Sequence, residues 1–203
     1  AGSVRSPDTP DITVIVSCTI TAAADRKCRK HIRKMRRENP DSLIIVCGCY
    51  AQRMSDSDRA ALGVDILIGN RMKHKIAELA AEWFTKKEPG STFSIFDDDI
   101  MTDRSWDTLL LDRPRLHTRA FLKVQDGCSH FCSYCIVPYV RGNPVSRNVN
   151  DALAEAEMIV YSGCPEIVLT GVHLGLHEDL PDLVRKIGSI KGLKRLRFGS
   201  IEP

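Results

Sequence analysis

The sequence predicts an α/β protein built from two successive parallel sheets, on three observations. Short β-branched runs alternate with helical stretches twice over, once before residue 86 and again after residue 118. Such alternation implies parallel strands with helices laid over their faces. Runs such as LIIVCG at 43–48 are apolar throughout, as strands covered on both faces require. From Thr85 to about Thr118 the periodicity dissolves into KKEPGS, DDDIMTD and DRPRL, which reads as a linker.

In chain order, Asp11–Ser17 (DITVIVS) is a short buried strand with Cys18 at its carboxyl end. From Arg26 to Arg37, eight of twelve residues are Lys or Arg. At about 100° per residue all eight fall on one half of a helix, opposite a stripe of Cys28, Ile32 and Met35. The outer face is therefore basic, and serves either as a solvated surface or as a patch for RNA phosphates. Asn39-Pro40 closes this helix, and Leu43–Gly48 is a second strand leading to Cys49. A helix around Met54–Leu62, a strand at Val64–Gly69 and a helix over Lys73–Phe84 complete a flavodoxin-like domain within residues 1–86. Ligands of such sheets gather beyond the carboxyl ends of strands, where Cys18 and Cys49 both lie. Cys47, one rung deeper on the same strand face, and Cys28, on the apolar stripe, read as core thiols. In the linker, residues 87–117, the aromatic residues Phe93, Phe96 and Trp106 are expected to pack against a domain.

Thr118–Asp126 alternates as a half-buried strand, Asn150–Tyr161 is a helix capped by Asn150, and Glu166–Thr170 is the next strand. A helix at Leu180–Ile187 and a strand at Lys194–Gly199 follow. This is the opening half of a β/α barrel over residues 118–203, whose chemistry belongs at the carboxyl ends of its strands. His173 reads as a structural histidine and Cys164 as a packing thiol. Arg141 and Arg147 are either surface arginines or fork-shaped partners for a carboxylate or phosphate.

Composition limits the classes. At 203 residues, 43% hydrophobic and 27% charged, the chain can bury a core. No apolar run approaches the ~18 residues of a membrane span, and AGSVRSPDTP lacks the plan of a signal peptide. A reducing, cytoplasmic setting without membrane is the expectation. The net charge of +3 does not argue for nucleic acid by itself.

The densest chemical signal is Gly127–Arg147, where Cys128, Cys132 and Cys135 stand within eight residues as C-x3-C-x2-C. A structural zinc site takes four ligands, usually as separated pairs. Three thiolates on one loop suit a 4Fe-4S cluster with one iron left open to substrate or cofactor. GCSHFCSYC followed by IVPYVRG resembles the cluster loop of radical S-adenosylmethionine (SAM) enzymes, specifically the methylthiotransferases.

The resemblance implies that the three cysteines hold three irons, that the fourth chelates SAM, and that Tyr134 lies near the adenine. It implies that Thr170 and Gly171 bind the SAM methionine amino group with backbone. Arg141, Ser200 and Glu202 are candidate polar contacts to SAM or substrate. SCTITAAADRKCRKHIR and CGCYAQ resemble the family's amino-terminal domain, which carries a second 4Fe-4S cluster on three cysteines. Two of these match Cys18 and Cys49. The third belongs on an earlier strand and helix, so the expectation is a fragment lacking both termini, or substitution by Cys47 or Cys28. The carboxy-terminal RNA-binding barrel common in the family is also missing from the sequence, and no turnover is expected from this chain alone.

The implied reaction is reductive cleavage of SAM, hydrogen abstraction from an unactivated C–H, insertion of sulfur and methylation by a second SAM. CTITAAADRK, TGVHLG and SIEP resemble the branch acting on N6-threonylcarbamoyladenosine beside the tRNA anticodon. LGLHED departs from the family's more usual Tyr-Gly pattern. The implied partners are tRNA, an electron donor and a sulfur source. Alternatives are the branches acting on isopentenyladenosine or a ribosomal-protein aspartate, or a non-catalytic iron-sulfur redox protein.

Overall fold

The computed structural model describes residues 10–86, 93–95, 100–106 and 118–201. Phe96, the acidic residues 97–99, most of the linker and Glu202 lie outside the described residues. The chain divides into two compact units, Ala1–Ile100 with Ser133–Val140, and Met101–Cys132 with Arg141–Pro203.

The first unit is an α/β layer of β1 (Ile12–Ser17), α1 (Ala22–Glu38), β2 (Leu43–Gly48), α2 (Asp56–Leu62), β3 (Ile66–Ile68), α3 (Ile76–Lys86) and β4 (Phe93–Ile95). The strands pair in the order β1-β2-β3-β4, every pair parallel. Strand β2 is buried along its whole length because both faces are covered. Ile44 and Val46 pack with Cys28 and Ile32 of α1 and Leu62 of α2, while Leu43, Ile45 and Cys47 pack with Leu79 and Ala80 of α3. The apolar stripe read from the basic helix is thus its core face.

Helix α1 starts where the Thr21 hydroxyl accepts the Ala24 N–H at 3.1 Å, satisfying one orphan donor of the first turn. Arg36 leaves the outer face. Its guanidinium donates to the carbonyls of Gly63 (2.9 and 2.7 Å), Pro40 (2.8 Å) and Ser42 (2.9 Å), and pairs with Asp65 at 2.5 Å. Gly48 ends β2 at φ +95°, where a Cβ would stand 2.6 Å from the Ser17 carbonyl. Glycine alone lets β1 and β2 close at that rung.

In the second unit the expected strand at 118–126 is two strands. Strand β5 (Ala120–Lys123) enters a three-stranded parallel sheet, and β6 (Gln125–Asp126) pairs antiparallel with β7 (Val145–Ser146). Between β6 and β7 the chain passes through Ser133–Val140 of the first unit, which forms most of the short helix α4 (Val137–Arg141), a helix that periodicity did not reveal. Helix α5 (Val149–Tyr161), strand β8 (Glu166–Thr170), helix α6 (Leu180–Gly188) and strand β9 (Arg195–Phe198) follow. The sheet order is β5-β8-β9, all parallel, so the described residues form an open β/α sheet without closure. Ala120, Leu122, Ile167 and Leu169 pack under Ala152, Ala156 and Ile159 of α5 and Leu183 and Ile187 of α6.

Two expectations change here. The cap of α5 is Asn148, whose side chain accepts from the N–H groups of Asn150 (2.8 Å) and Asp151 (3.4 Å). The helix therefore starts earlier than the sequence suggested. Arg147 is not a surface group: it is 5% exposed and pairs at 2.5 Å with Glu155, itself 4% exposed. A buried pair tolerates loss of neither partner. Among the described residues no helix is long and apolar enough to cross a membrane.

His177 is buried, with Nδ1 accepting the Asp179 N–H at 3.1 Å, and burial lowers its pKa below the usual 6.5. The unfolded chain then takes up a proton at higher pH than the folded chain does. The neutral ring contributes stability above about pH 6.5, and that contribution is lost as pH falls below it, at up to about 1.4 kcal/mol per pH unit. Denaturant melts at pH 7.5 and 5.5 should show this loss, and His177→Gln should shrink the difference between them.

Candidate metal centre

The cysteine loop leaves β6 through Gly127 and Cys128 and is pinned at its base. The Gly127 N–H donates to Asp126 Oδ1 at 2.9 Å and the Cys128 N–H to the Gly142 carbonyl at 3.1 Å. Gly127 sits at φ +74°, with space for a Cβ blocked 2.1 Å away by the Asn143 carbonyl. The loop can close only over a glycine.

Beneath it lies Gln125, fully buried. Its Nε2 donates to the carbonyls of Asp126 and Gly127, each at 2.8 Å, and its Oε1 accepts the His173 N–H at 2.8 Å. A Cβ on Gly171 would come within 2.9 Å of Gln125, so the loop after β8 approaches only because residue 171 is glycine. The His130 and His173 rings meet edge to face at 4.6 Å between centroids. One amide and one ring pair thus join the cysteine loop to the loop carrying Thr170 and Gly171.

Asp126 adds a charge to this base. Burial pushes its carboxyl up, but Lys123 and Arg141 outweigh burial and bring the pKa down to about 2. Arg141 Nη1 is 2.9 Å from Asp126 Oδ1, and Lys123 pairs with the other oxygen. Arg141 is therefore anchored beside the loop, half-buried and oriented by a carboxylate.

None of the eight cysteines is in a disulfide. Cys128 and Cys135 are half-buried and Cys132 is exposed, while Tyr134 is 90% exposed. Cys128 and Cys132 belong to the second unit, Tyr134 and Cys135 to the first. Thr170 ends β8 half-buried, with its carbonyl accepting the Val124 N–H at 2.9 Å, and Ser200 is exposed just past β9.

In the first unit the register Ser17↔Gly48 sets Cys18 and Cys49 at adjacent strand ends. Cys18 is exposed. Cys49 is 2% exposed and accepts a 3.4 Å contact from Asn70 Nδ2, which also donates to the Val140 carbonyl at 2.5 Å. Ser17 Oγ donates to the Cys47 carbonyl at 2.6 Å and accepts the Ala51 N–H at 3.2 Å. Burial pushes the Cys28 thiol up to about 11. Cys28 and Cys18 line a cavity of about 280 Å³ with Lys27 and His31.

Among the described residues no three His, Cys, Asp or Glu side chains are gathered closely enough to hold a metal ion. The donor chemistry nevertheless separates the thiols into two sets. Cys128, Cys132 and Cys135 are at least partly accessible on a loop of irregular backbone, with Phe131 at φ 46°. Cys28, Cys47 and Cys164 are buried among apolar side chains. The first set fits a soft thiolate-bound cluster.

Residues 122–202 match the radical SAM superfamily, and residues 1–69 match a family described as the uncharacterized protein family UPF0004. Over 96% of its length the chain is 37% identical to the threonylcarbamoyladenosine tRNA methylthiotransferase MtaB of Bacillus subtilis, covering 44% of that protein. The chain carries a radical SAM domain, and over nearly its whole length it is similar to tRNA methylthiotransferases. The MtaB protein of Chlamydia pneumoniae is 33% identical over 95% of this chain and 42% of its own length. A tRNA-2-methylthio-N(6)-dimethylallyladenosine synthase of Desulfotalea psychrophila is 32% identical over 95% of this chain and 46% of its own. The chain thus spans less than half the length of these relatives. In fold it resembles the radical SAM methyltransferase TsrM of Kitasatospora setae, with TM-score 0.58 and 16% identity over 90% of this chain and 40% of that one.

Gln125 and Asn70 are the residues around the cysteines that sequence reasoning missed. Gln125→Leu should leave the His173 N–H and the Gly127 carbonyl unpaired in a buried place, costing about 2–4 kcal/mol in denaturant unfolding. Thiol accessibility gives a second expectation. In a native iodoacetamide time course on the metal-free protein, read by peptide mass spectrometry, Cys18 and Cys132 should label at least tenfold faster than Cys28, Cys47 and Cys164. In denaturant the eight should label alike.

Proposed function

We propose that the protein of which this chain is part methylthiolates tRNA, converting N6-threonylcarbamoyladenosine beside the anticodon to its 2-methylthio derivative. The observation that carries this reading is the accessible C-x3-C-x2-C loop, on a radical SAM domain whose relatives are tRNA methylthiotransferases. Cys128, Cys132 and Cys135 hold a 4Fe-4S cluster. Bound there with SAM, it supplies the reductive cleavage that starts radical chemistry.

The chain's own groups bind and orient. Tyr134 covers the adenine, Thr170 and Gly171 present backbone to the methionine amino group, and Arg141, aimed by Asp126, takes the carboxylate. Ser200 and Glu202 supply further polar contacts. Cys18 and Cys49 hold a second 4Fe-4S cluster together with a third thiol. Residues 1–86 form the methylthiotransferase domain, 87–117 the linker, which also lends β4 to the sheet of that domain, and 118–203 the radical SAM barrel domain. An electron donor and a sulfur source complete the system, which works in the cytoplasm. A second reading, isopentenyladenosine tRNA as substrate, is kept open by the dimethylallyladenosine synthases among the relatives.

Nucleoside mass spectrometry of tRNA from cells lacking the gene should show loss of 2-methylthio-threonylcarbamoyladenosine. Its persistence, with no second enzyme making it, would sink the substrate assignment. Loss of only the isopentenyl derivative would select the second reading. After anaerobic reconstitution, alanine at Cys128, Cys132 or Cys135 should remove the iron of one cluster and abolish 5′-deoxyadenosine formation.

A further inference from the structure

The charge of this chain is concentrated on α1. The helix carries eight Lys or Arg against two carboxylates, Asp25 and Glu38, while the rest of the sequence holds 21 cations against 24 carboxylates. The molecule's net +3 thus comes from one helix. Arg36 turns inward to the Gly63 carbonyl and Asp65, and Arg29 lies over the Tyr50 ring at 5.9 Å. The other six, Arg26, Lys27, Lys30, Arg33, Lys34 and Arg37, are exposed. Lys34 lies 3.9 Å from Glu38, and Asp25 is engaged by Arg53 at 3.4 Å. By contrast the cations of α6 and β9 each have a carboxylate partner: Arg185 and Lys186 share Asp182, and Arg195 and Arg197 share Glu166.

We infer that this face of α1 is an RNA-docking rail that grips the phosphate backbone of the tRNA. The inference rests on the tRNA reading above and names the surface that serves it. Six cations on one face over ~16 Å of helix suit a continuous polyanion more than a single carboxylate. A membrane surface is disfavoured because the helix's apolar stripe, Cys28 and Ile32, is buried in the core and unavailable for insertion. Phosphate contacts of this kind fix position without reading sequence.

The test is fluorescence anisotropy of the whole protein with labelled tRNA across a salt series, comparing wild type with the triple variant Lys30→Gln/Arg33→Gln/Lys34→Gln. Glutamine keeps helix propensity, and circular dichroism confirms that α1 persists. Affinity should fall at least tenfold and the log–log salt slope should lose about 2–3 units. Arg185→Gln/Lys186→Gln should change neither. A triple variant that binds like wild type with the same slope overturns the inference while leaving the substrate reading intact. Binding to anionic phosphatidylserine vesicles but not to tRNA overturns it in favour of a membrane. The substrate reading itself is decided separately, by the nucleoside analysis.

Discussion

Between the base of the cysteine loop and the loop after β8 lies a fully buried amide, Gln125, with both of its ends in use. A neutral side chain that both donates and accepts is what this position demands. It must satisfy two loop carbonyls and one loop N–H without bringing a charge into a dry place. A glutamate would set a carboxylate against carbonyl oxygens, and an aliphatic residue would leave three backbone groups unpaired. The flanking glycines follow from the same close approach. Gly127 and Gly171 each lack the Cβ that would otherwise collide with Asn143 or with Gln125 itself. The relative placement of the cysteine loop and the strand end carrying Thr170 and Gly171 is thus set by backbone hydrogen bonds through the Gln125 amide. Placement of that kind suits a site that must orient a cofactor.

The first unit solves a comparable problem with smaller groups. At the ends of β1 and β2, Ser17, Gly48 and Asn70 organise the backbone and thiol of Cys49, leaving Cys18 exposed beside it. Two thiols at adjacent carboxyl ends of parallel strands lie where α/β sheets place ligands. Cys47 and Cys28, close in sequence to these two, are taken into the core on opposite sides of the sheet. Which thiols stay available for chemistry is decided by strand alternation and helix phase.

Arginine shows how one residue type divides by environment. Arg147 is consumed by Glu155 in the interior, Arg36 clamps the carbonyls that follow α1 and α2, Arg141 is aimed by Asp126, and Arg33 and Arg37 face water. The first two stabilise the fold. The third lies beside the cysteine loop, and the last two carry the charge of the outer helical face. Equal formal charges therefore have unequal roles, because desolvation and partner geometry set what each guanidinium can do.

Periodicity and spacing alone determined the α/β class, the core strands, the basic helix with its Cys28–Ile32 stripe, and the three-cysteine loop. Each is a pattern read over a few neighbouring residues, and such patterns survive without knowledge of the partners. The end of β5 and the start of β6, the Asn148 cap, the helix α4 and the burial of Arg147 were not legible, because each depends on a residue brought close by folding. Asn148 and Asn150 are equally good caps on paper, and only the point where α5 begins chooses between them. Gln125 and His173 are 48 residues apart and meet across two strands, and nothing local to either announces the other. The sequence thus determined which chemical groups the protein carries. The tertiary structure decided which of them are exposed, which are spent on the fold and which are held in place, because desolvation and hydrogen-bond geometry are properties of contacts distant in sequence.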